Sequence, residues 1–216
     1  GNLILPERLI FSSSTSLRAK AIDYYVEKPG YQASLVSENE IKIRFDQPIV
    51  QARIDDFSIS GRTINDVVVD NSEIVTLYLN DSHNTAAPTS LSIKSTNSMK
   101  TMINLDVQGG EIKVLDEVAP IVKDFKQISN SKFELTFTEN LDSRLESSFA
   151  QDLIVMVNGQ STNRFSTRLK TGDHSTIVIT VDNVNGPVSI EILNNPQYIM
   201  DTSGNRTISS GPYYSN

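Results

Sequence analysis

Ile41, Ile43 and Phe45 alternate with Lys42 and Arg44, and Phe133, Leu135 and Phe137 alternate with Glu134 and Thr136. A period of two marks an extended strand with one face buried and the other in water. Each strand leads into a turn-prone stretch, Asp46-Gln47-Pro48 or Thr138-Glu139-Asn140, and then an apolar residue, Ile49 or Leu141. The match continues along the chain. Residues 57–61, 75–79, 91–93 and 106–110 are answered by 155–159, 177–181, 188–190 and 201–205. The five offsets are 92, 98, 102, 97 and 95 residues, and so narrow a spread predicts two copies of one unit differing in loop length. In this alignment Asp106 and Asp201 occupy equivalent end turns.

Apolar stretches at 67–69, 74–79 and 91–93 in the first copy, and at 165–169, 177–181 and 188–193 in the second, give each six or seven short strands. No long amphipathic helix separates them, which removes a βαβ architecture and leaves all-β, tandem Ig-like antiparallel β-sandwich domains. The expected domains are 31–116 and 117–216. Residues 1–30 stand outside the duplication and read as a lead-in strand and linker, or the tail of a preceding domain, with the 17–26 stretch open to one or two helical turns. Pro120 withholds an N–H and disfavours helix at Ala119, so the link Leu115-Asp116-Glu117-Val118-Ala119-Pro120 should be short, extended and stiff.

The 216 residues carry 26 acidic and 19 basic side chains, a formal charge of -7. With no basic cluster on the chain, nucleic acid is excluded as a partner. No apolar run reaches the roughly 18 residues that would span a bilayer, and the opening lacks a signal-peptide pattern, so the chain reads as a piece of a longer mature protein. The absence of cysteine fits an exported surface protein better than a cytosolic enzyme and removes thiolate chemistry.

Catalytic groups are sparse. His83 and His174 fall in polar turns on different copies, Asp55 and Asp56 are adjacent and would point to opposite faces, and no phosphate loop, nucleophile elbow or zinc-binding helix occurs. We therefore expect no enzyme. Carboxylates at the domain ends are more suggestive, since hard cations take oxygen ligands from loops. Asp106 and Asp201 in the end turns, with Asp116 and Glu117 at the link, are the candidate metal ligands. The same Asp-x-x-Gly turns also form without metal, because aspartate caps backbone amides. Both readings stay open on the residues alone.

The strand and turn from Lys132 to Leu141, the closing Asp201-Thr202-Ser203-Gly204-Asn205, and the link Asp116-Glu117-Val118-Ala119-Pro120 resemble the Ig-like repeats of bacterial surface-layer proteins from Bacillus and its relatives. The resemblance covers Tyr31 to about Ser210. It departs from the pattern at Gly110, where the second copy has Asn205. It implies a structural building block of an extracellular cell-surface array, assembling with copies of itself or with adjacent domains of a longer chain. A separate module would contact cell-wall polymer. It also implies calcium at domain junctions, with no cofactor strictly required. The alternatives are an adhesin or carbohydrate-binding module, for which Tyr24-Tyr25 and Tyr213-Tyr214 are the exposed-aromatic candidates, and a non-catalytic spacer of a secreted hydrolase.

Overall fold

A computed structural model describes residues 30–80, 85–88 and 90–215. The expectations for the lead-in segment, for Tyr24-Tyr25 and for His83 fall outside them. The first part of the chain forms β1 (Tyr31–Ser37), β2 (Glu40–Phe45), β3 (Ile49–Gln51), β4 (Phe57–Ile59), β5 (Ile64–Asp70), β6 (Ile74–Leu79), β7 (Leu91–Ile93), β8 (Lys100–Thr101), β9 (Gly110–Ile112) and β10 (Val114–Asp116). The second forms β11 (Val122–Ser129), β12 (Lys132–Phe137), β13 (Leu153–Val157), β14 (Gln160–Thr162), β15 (Phe165–Lys170), β16 (Asp173–Val181), β17 (Val188–Ile192) and β18 (Ser210–Tyr214). The protein is mostly β, with antiparallel sheets consistent with an Ig-like fold. The strands outnumber the sequence expectation because short pieces such as β8 and β10 lack an alternating pattern long enough to read.

Sheet order is β10-β1-β2-β6-β5, β4-β7-β9 and β3-β8 in the first part, then β11-β12-β16-β15 and β14-β13-β17-β18 in the second. Alternation fixes the register. Ile41, Ile43 and Phe45 on β2 are buried while Lys42 and Arg44 are exposed, and Phe133, Leu135 and Phe137 on β12 are buried in the same way. A slip of one residue would turn each set to water. Two hydrophobic clusters result, one drawn from Ala33 to Ile112 and the other from Phe133 to Ile199. Each contains residues from more than one sheet: Ile43 meets the β7 residues Leu91 and Ile93, and Leu135 meets the β17 residues Ile190 and Ile192 in the same cluster.

One segment departs from the sequence reading. Leu115 and Asp116, expected as the start of the linker, form a strand with Val114, and among the described residues it makes the one parallel pairing: Ala33 faces Val114, Ser34 faces Leu115 and Leu35 faces Asp116. The Asn158-Gly159 reversal between β13 and β14 matches its sequence signal, with both residues at positive φ (52° and 72°) as a two-residue hairpin turn requires.

A buried aspartate recurs at the same place in both parts. Asp56 ends the 3-10 turn Ile54–Asp56 and accepts hydrogen bonds from the Arg53 N–H (2.8 Å), the Ser98 N–H and the Ser98 hydroxyl (3.2 Å). Asp152 ends the longer 3-10 helix Ser143–Asp152 and accepts from the N–H groups of Gln197 (2.9 Å), Tyr198 (2.6 Å) and Ile199 (2.7 Å). Each therefore ties the loop before Met99 or Ile199, both fully buried, to the start of a core strand. Asp55-Asp56, weighed in sequence as an acid/base pair, is accordingly a structural pin with one buried member. Asp152→Ala should strand buried amides and cost about 1–3 kcal/mol per unsatisfied group. Phe133→Ala, which empties a core site, should cost about 3–5 kcal/mol. Urea unfolding of both variants measures these losses, and a Cm for Asp152→Ala equal to that of the unaltered protein would show that the pin is dispensable.

Candidate metal centre at the junction

The polypeptide leaves the first part along β10 and enters the second at β11, and its crossing is held from both sides. Asp116, the last residue of β10, accepts from the Ala87 N–H at 2.9 Å and the Val118 N–H at 3.2 Å. Ile121 and Thr138 hold each other through two bonds: the Thr138 N–H donates to the Ile121 carbonyl at 3.0 Å, and the Ile121 N–H to the Thr138 hydroxyl at 3.1 Å. From the far turn, the Asn205 side-chain amide donates to the Asp116 carbonyl at 3.0 Å and the buried Thr207 hydroxyl to the Pro120 carbonyl at 2.7 Å. The linker is thus fastened by hydrogen bonds from both parts.

Three carboxylates converge here. One oxygen each from Asp116, Glu139 and Asp201 lies within 4.8 Å of the others, with Glu139 and Asp201 buried and Asp116 half-buried. Asp116 and Glu139 border a cleft of about 580 Å³ that Lys113, Glu117, Asn140 and Ser203 also line. Asp201 is oriented by its own turn, accepting from the N–H groups of Ser203 and Asn205 (both 2.8 Å) and from the Asn205 side chain (2.8 Å). Gly204, at φ 94°, supplies the left-handed backbone that closes this turn. Among the described residues Glu139 has one side-chain donor, the hydroxyl of buried Thr85, which also lies 2.7 Å from the Thr138 hydroxyl.

Burial is the main force on the acidity of Glu139 and Asp116. It pushes the Glu139 carboxyl up to about 8; the Thr85 hydroxyl opposes this, and the charges of Asp116 and Asp201 reinforce it. Asp116 is also raised, first by burial and further by Asp201, against hydrogen bonds from Ala87 and Val118 and the nearby Arg62 guanidinium. Crowded, poorly solvated carboxylates have two remedies, a proton or a cation. All the groups offered are oxygens, the donor set of a hard cation. The structure therefore contains a small acidic cluster with the composition of a metal site.

Of the four sequence candidates, Asp116 and Asp201 come together. Glu117 lines the cleft but turns to the first sheet, where its carboxylate accepts from the Ser34 hydroxyl at 2.8 Å. Asp106 lies elsewhere, largely exposed and paired with Lys100. The equivalence of Asp106 with Asp201 is corrected by the strand pairing. Thr101 pairs with Ile49 as Asp201 pairs with Leu141, and the Lys100–Asp106 bridge matches Met200–Arg206. Asp201 thus corresponds to Thr101, and Asp106 to Arg206. Asn104, at φ 63°, stands where Gly204 does. Glu139 and Thr85 went unread: Glu139 sits in a stretch that looked only like a turn. An acidic residue just after the alternating strand β12, at the end facing an Asp-Glu linker, was the available signal. His174 lies exposed on β16 just after the turn, and its carbonyl accepts from the Leu141 N–H at 2.9 Å.

The chain is 26% identical over 211 residues, 92% of its length, to the Surface-layer 125 kDa protein of Lysinibacillus sphaericus. That relative is a surface-layer protein. The similarity agrees with the resemblance carried by the strand, end-turn and junction phrases. The chain spans only 16% of the relative's length. No protein-family model matches. Among solved structures, the N-terminal part of the bacterial S-layer protein SbsC aligns with a TM-score of 0.39 and 12% identity, covering 97% of this chain and 51% of that one. Domains 1–6 of SbsC give 0.39 and 14%, covering 93% and 28%.

Because folding raises the Glu139 pKa from its ordinary 4.5 to about 8, the native state holds a proton the unfolded chain has lost. Its contribution to stability is complete below about pH 4.5 and is lost as pH rises through 8. With chelator present, stability should fall between pH 5 and 9, and Glu139→Gln should flatten that fall. Urea midpoints across this range measure it; an equally steep decline in the variant would assign the dependence to other groups.

Proposed function

We propose that this chain is a non-catalytic building block of an extracellular bacterial surface layer. It consists of Ig-like sandwich units at 31–116 and 117–216, assembling with copies of itself or with neighbouring domains of a longer chain. The observation that carries this reading is the similarity to a surface-layer protein along 92% of the chain. A fold built from two hydrophobic clusters joined by a fastened, proline-stiffened link supports it, because an array needs units whose relative orientation is held. Any contact with cell-wall polymer belongs to another module.

Calcium is the cation we place at the junction, held by Asp116, Glu139 and Asp201. Bound there, it would supply positive charge to three crowded carboxylates, two from the second part of the chain and one from the end of β10, and so tie the two together. Asp106 and Glu117 have no part in this set.

A cation at 100 times its Kd stabilises by about 2.7 kcal/mol, so millimolar calcium should raise the Tm by several degrees. The shift should vanish in Glu139→Gln and Asp201→Asn, and persist in Asp106→Asn and Glu117→Gln. No calcium-dependent shift in the unaltered protein would remove the metal. For the building-block reading, negative-stain microscopy of a longer chain containing these residues should show ordered sheets. Persistent monomers with and without calcium would overturn it.

A further inference from the structure

The internal duplication supplies β1 with a neighbour that its counterpart lacks. Ile41 on β2 and Phe133 on β12 are equivalent core residues, and they pair with Leu35 and Gln127. Gln127 therefore holds the place of Leu35, Lys126 that of Ser34, and Phe125 that of Ala33. Both strands also break register at the same point, between Leu35 and Ser37 and between Gln127 and Ser129. Yet β1 carries β10 on its outer side, whereas β11 is an edge strand among the described residues.

The first part shows what such an edge accepts. The Leu35 carbonyl receives the Glu117 N–H at 3.2 Å, so the backbone groups of Leu35, and of Ala33 two residues before, face outward. By the same register, Phe125 and Gln127 direct their N–H and C=O groups to the open edge of β11. The side chains add a charge preference. Where the Ser34 hydroxyl donates to the Glu117 carboxylate, β11 presents exposed Lys126, which forms no ion pair among the described residues, as does exposed Lys123. A groove of about 470 Å³ lined by Gln127, Asn130, Val184, Gly186, Pro187 and Ser215 opens beside the far end of the strand.

We infer that the outer edge of β11 seats an extended, acidic strand running parallel to it, with the chemistry of Val114 to Glu117. Its first two residues lie opposite Phe125 and Lys126, its aspartate lies opposite Gln127, and the following glutamate is within reach of the Lys126 ammonium. The two bulged ends and the lysines guard the edge against apolar strands, while the straight central segment remains open to an acidic one. The inference depends on neither calcium nor lattice formation, because it follows from the pairing already present in the first part.

The test appends a copy of residues 114–120 to the full chain after Asn216, so that pairing is intramolecular and avoids the weak affinity of a short free peptide. Amide hydrogen exchange is then read by NMR. The Phe125 and Gln127 amides should be protected at least about 10-fold relative to the unextended protein, with a higher Tm. Replacing both acidic residues of the tail by asparagine and glutamine should weaken the protection, as should Lys126→Glu in the body. Gln127→Pro removes one outward N–H at an edge that tolerates proline and should abolish the gain; if that variant does not fold, the Lys126→Glu comparison stands in its place. Unchanged exchange at Phe125 and Gln127 in the extended chain would overturn the inference, as would equal protection by a tail of scrambled sequence.

Discussion

The parallel pairing of β10 with β1 is the constraint on which the junction depends. Three residues in register are a small ladder, but they fix where the chain leaves the first sheet and which residue stands at the exit. Asp116 is that residue. Its carboxylate is held by the Ala87 and Val118 amides and its carbonyl by Asn205, so the second part meets a preset end rather than a loose tether. The Ile121–Thr138 pair and the Thr207 bond to Pro120 then orient β11. Free rotation about the linker would require breaking several of these bonds together.

The duplication is structural more than chemical. At the positions of Glu139 and Asp201, the first part carries Gln47 and Thr101. Where Thr202 and Ser203 border the cleft, it has Met102 and Ile103, both well exposed. The same turn geometry, with a left-handed residue at Asn104 or Gly204, thus presents an apolar tip in one copy and an acidic site in the other. A fold conserved between copies need not repeat its interface, because the tip residues contribute little to either core.

This separation also explains how much the sequence disclosed. The core strands were legible because alternation is local: Ile41, Ile43 and Phe45 announce both strand and buried face without reference to any partner. The short strand β10 was not, since its pairing with β1 joins residues about eighty positions apart and leaves no period to count. The misplacement of Asp106 has the same origin. Asp-x-x-Gly phrases are short and recur, so matching 106–110 to 201–205 looked sound, whereas the true correspondence is set by pairing with Ile49 and Leu141, far earlier in the chain. Two of the junction acids could be named from the linker and end-turn phrases. Glu139 was signalled only by its place after a core strand, and its importance comes from the carboxylates that face it.

The same side-chain chemistry meets opposite fates in this molecule, and the supply of donors decides which. Asp152 is as buried as Asp201, yet three backbone N–H groups converge on it and it serves as a pin within one core. Asp201 receives two N–H groups and a side-chain amide, and Asp116 two N–H groups. Among the described residues Glu139 receives a single hydroxyl while facing two carboxylates, and burial carries its pKa far upward. A buried carboxylate short of donors must take a proton or a cation. Near neutral pH a cation offered to this cluster would compete with the Glu139 proton, at a place where the two parts of the chain meet.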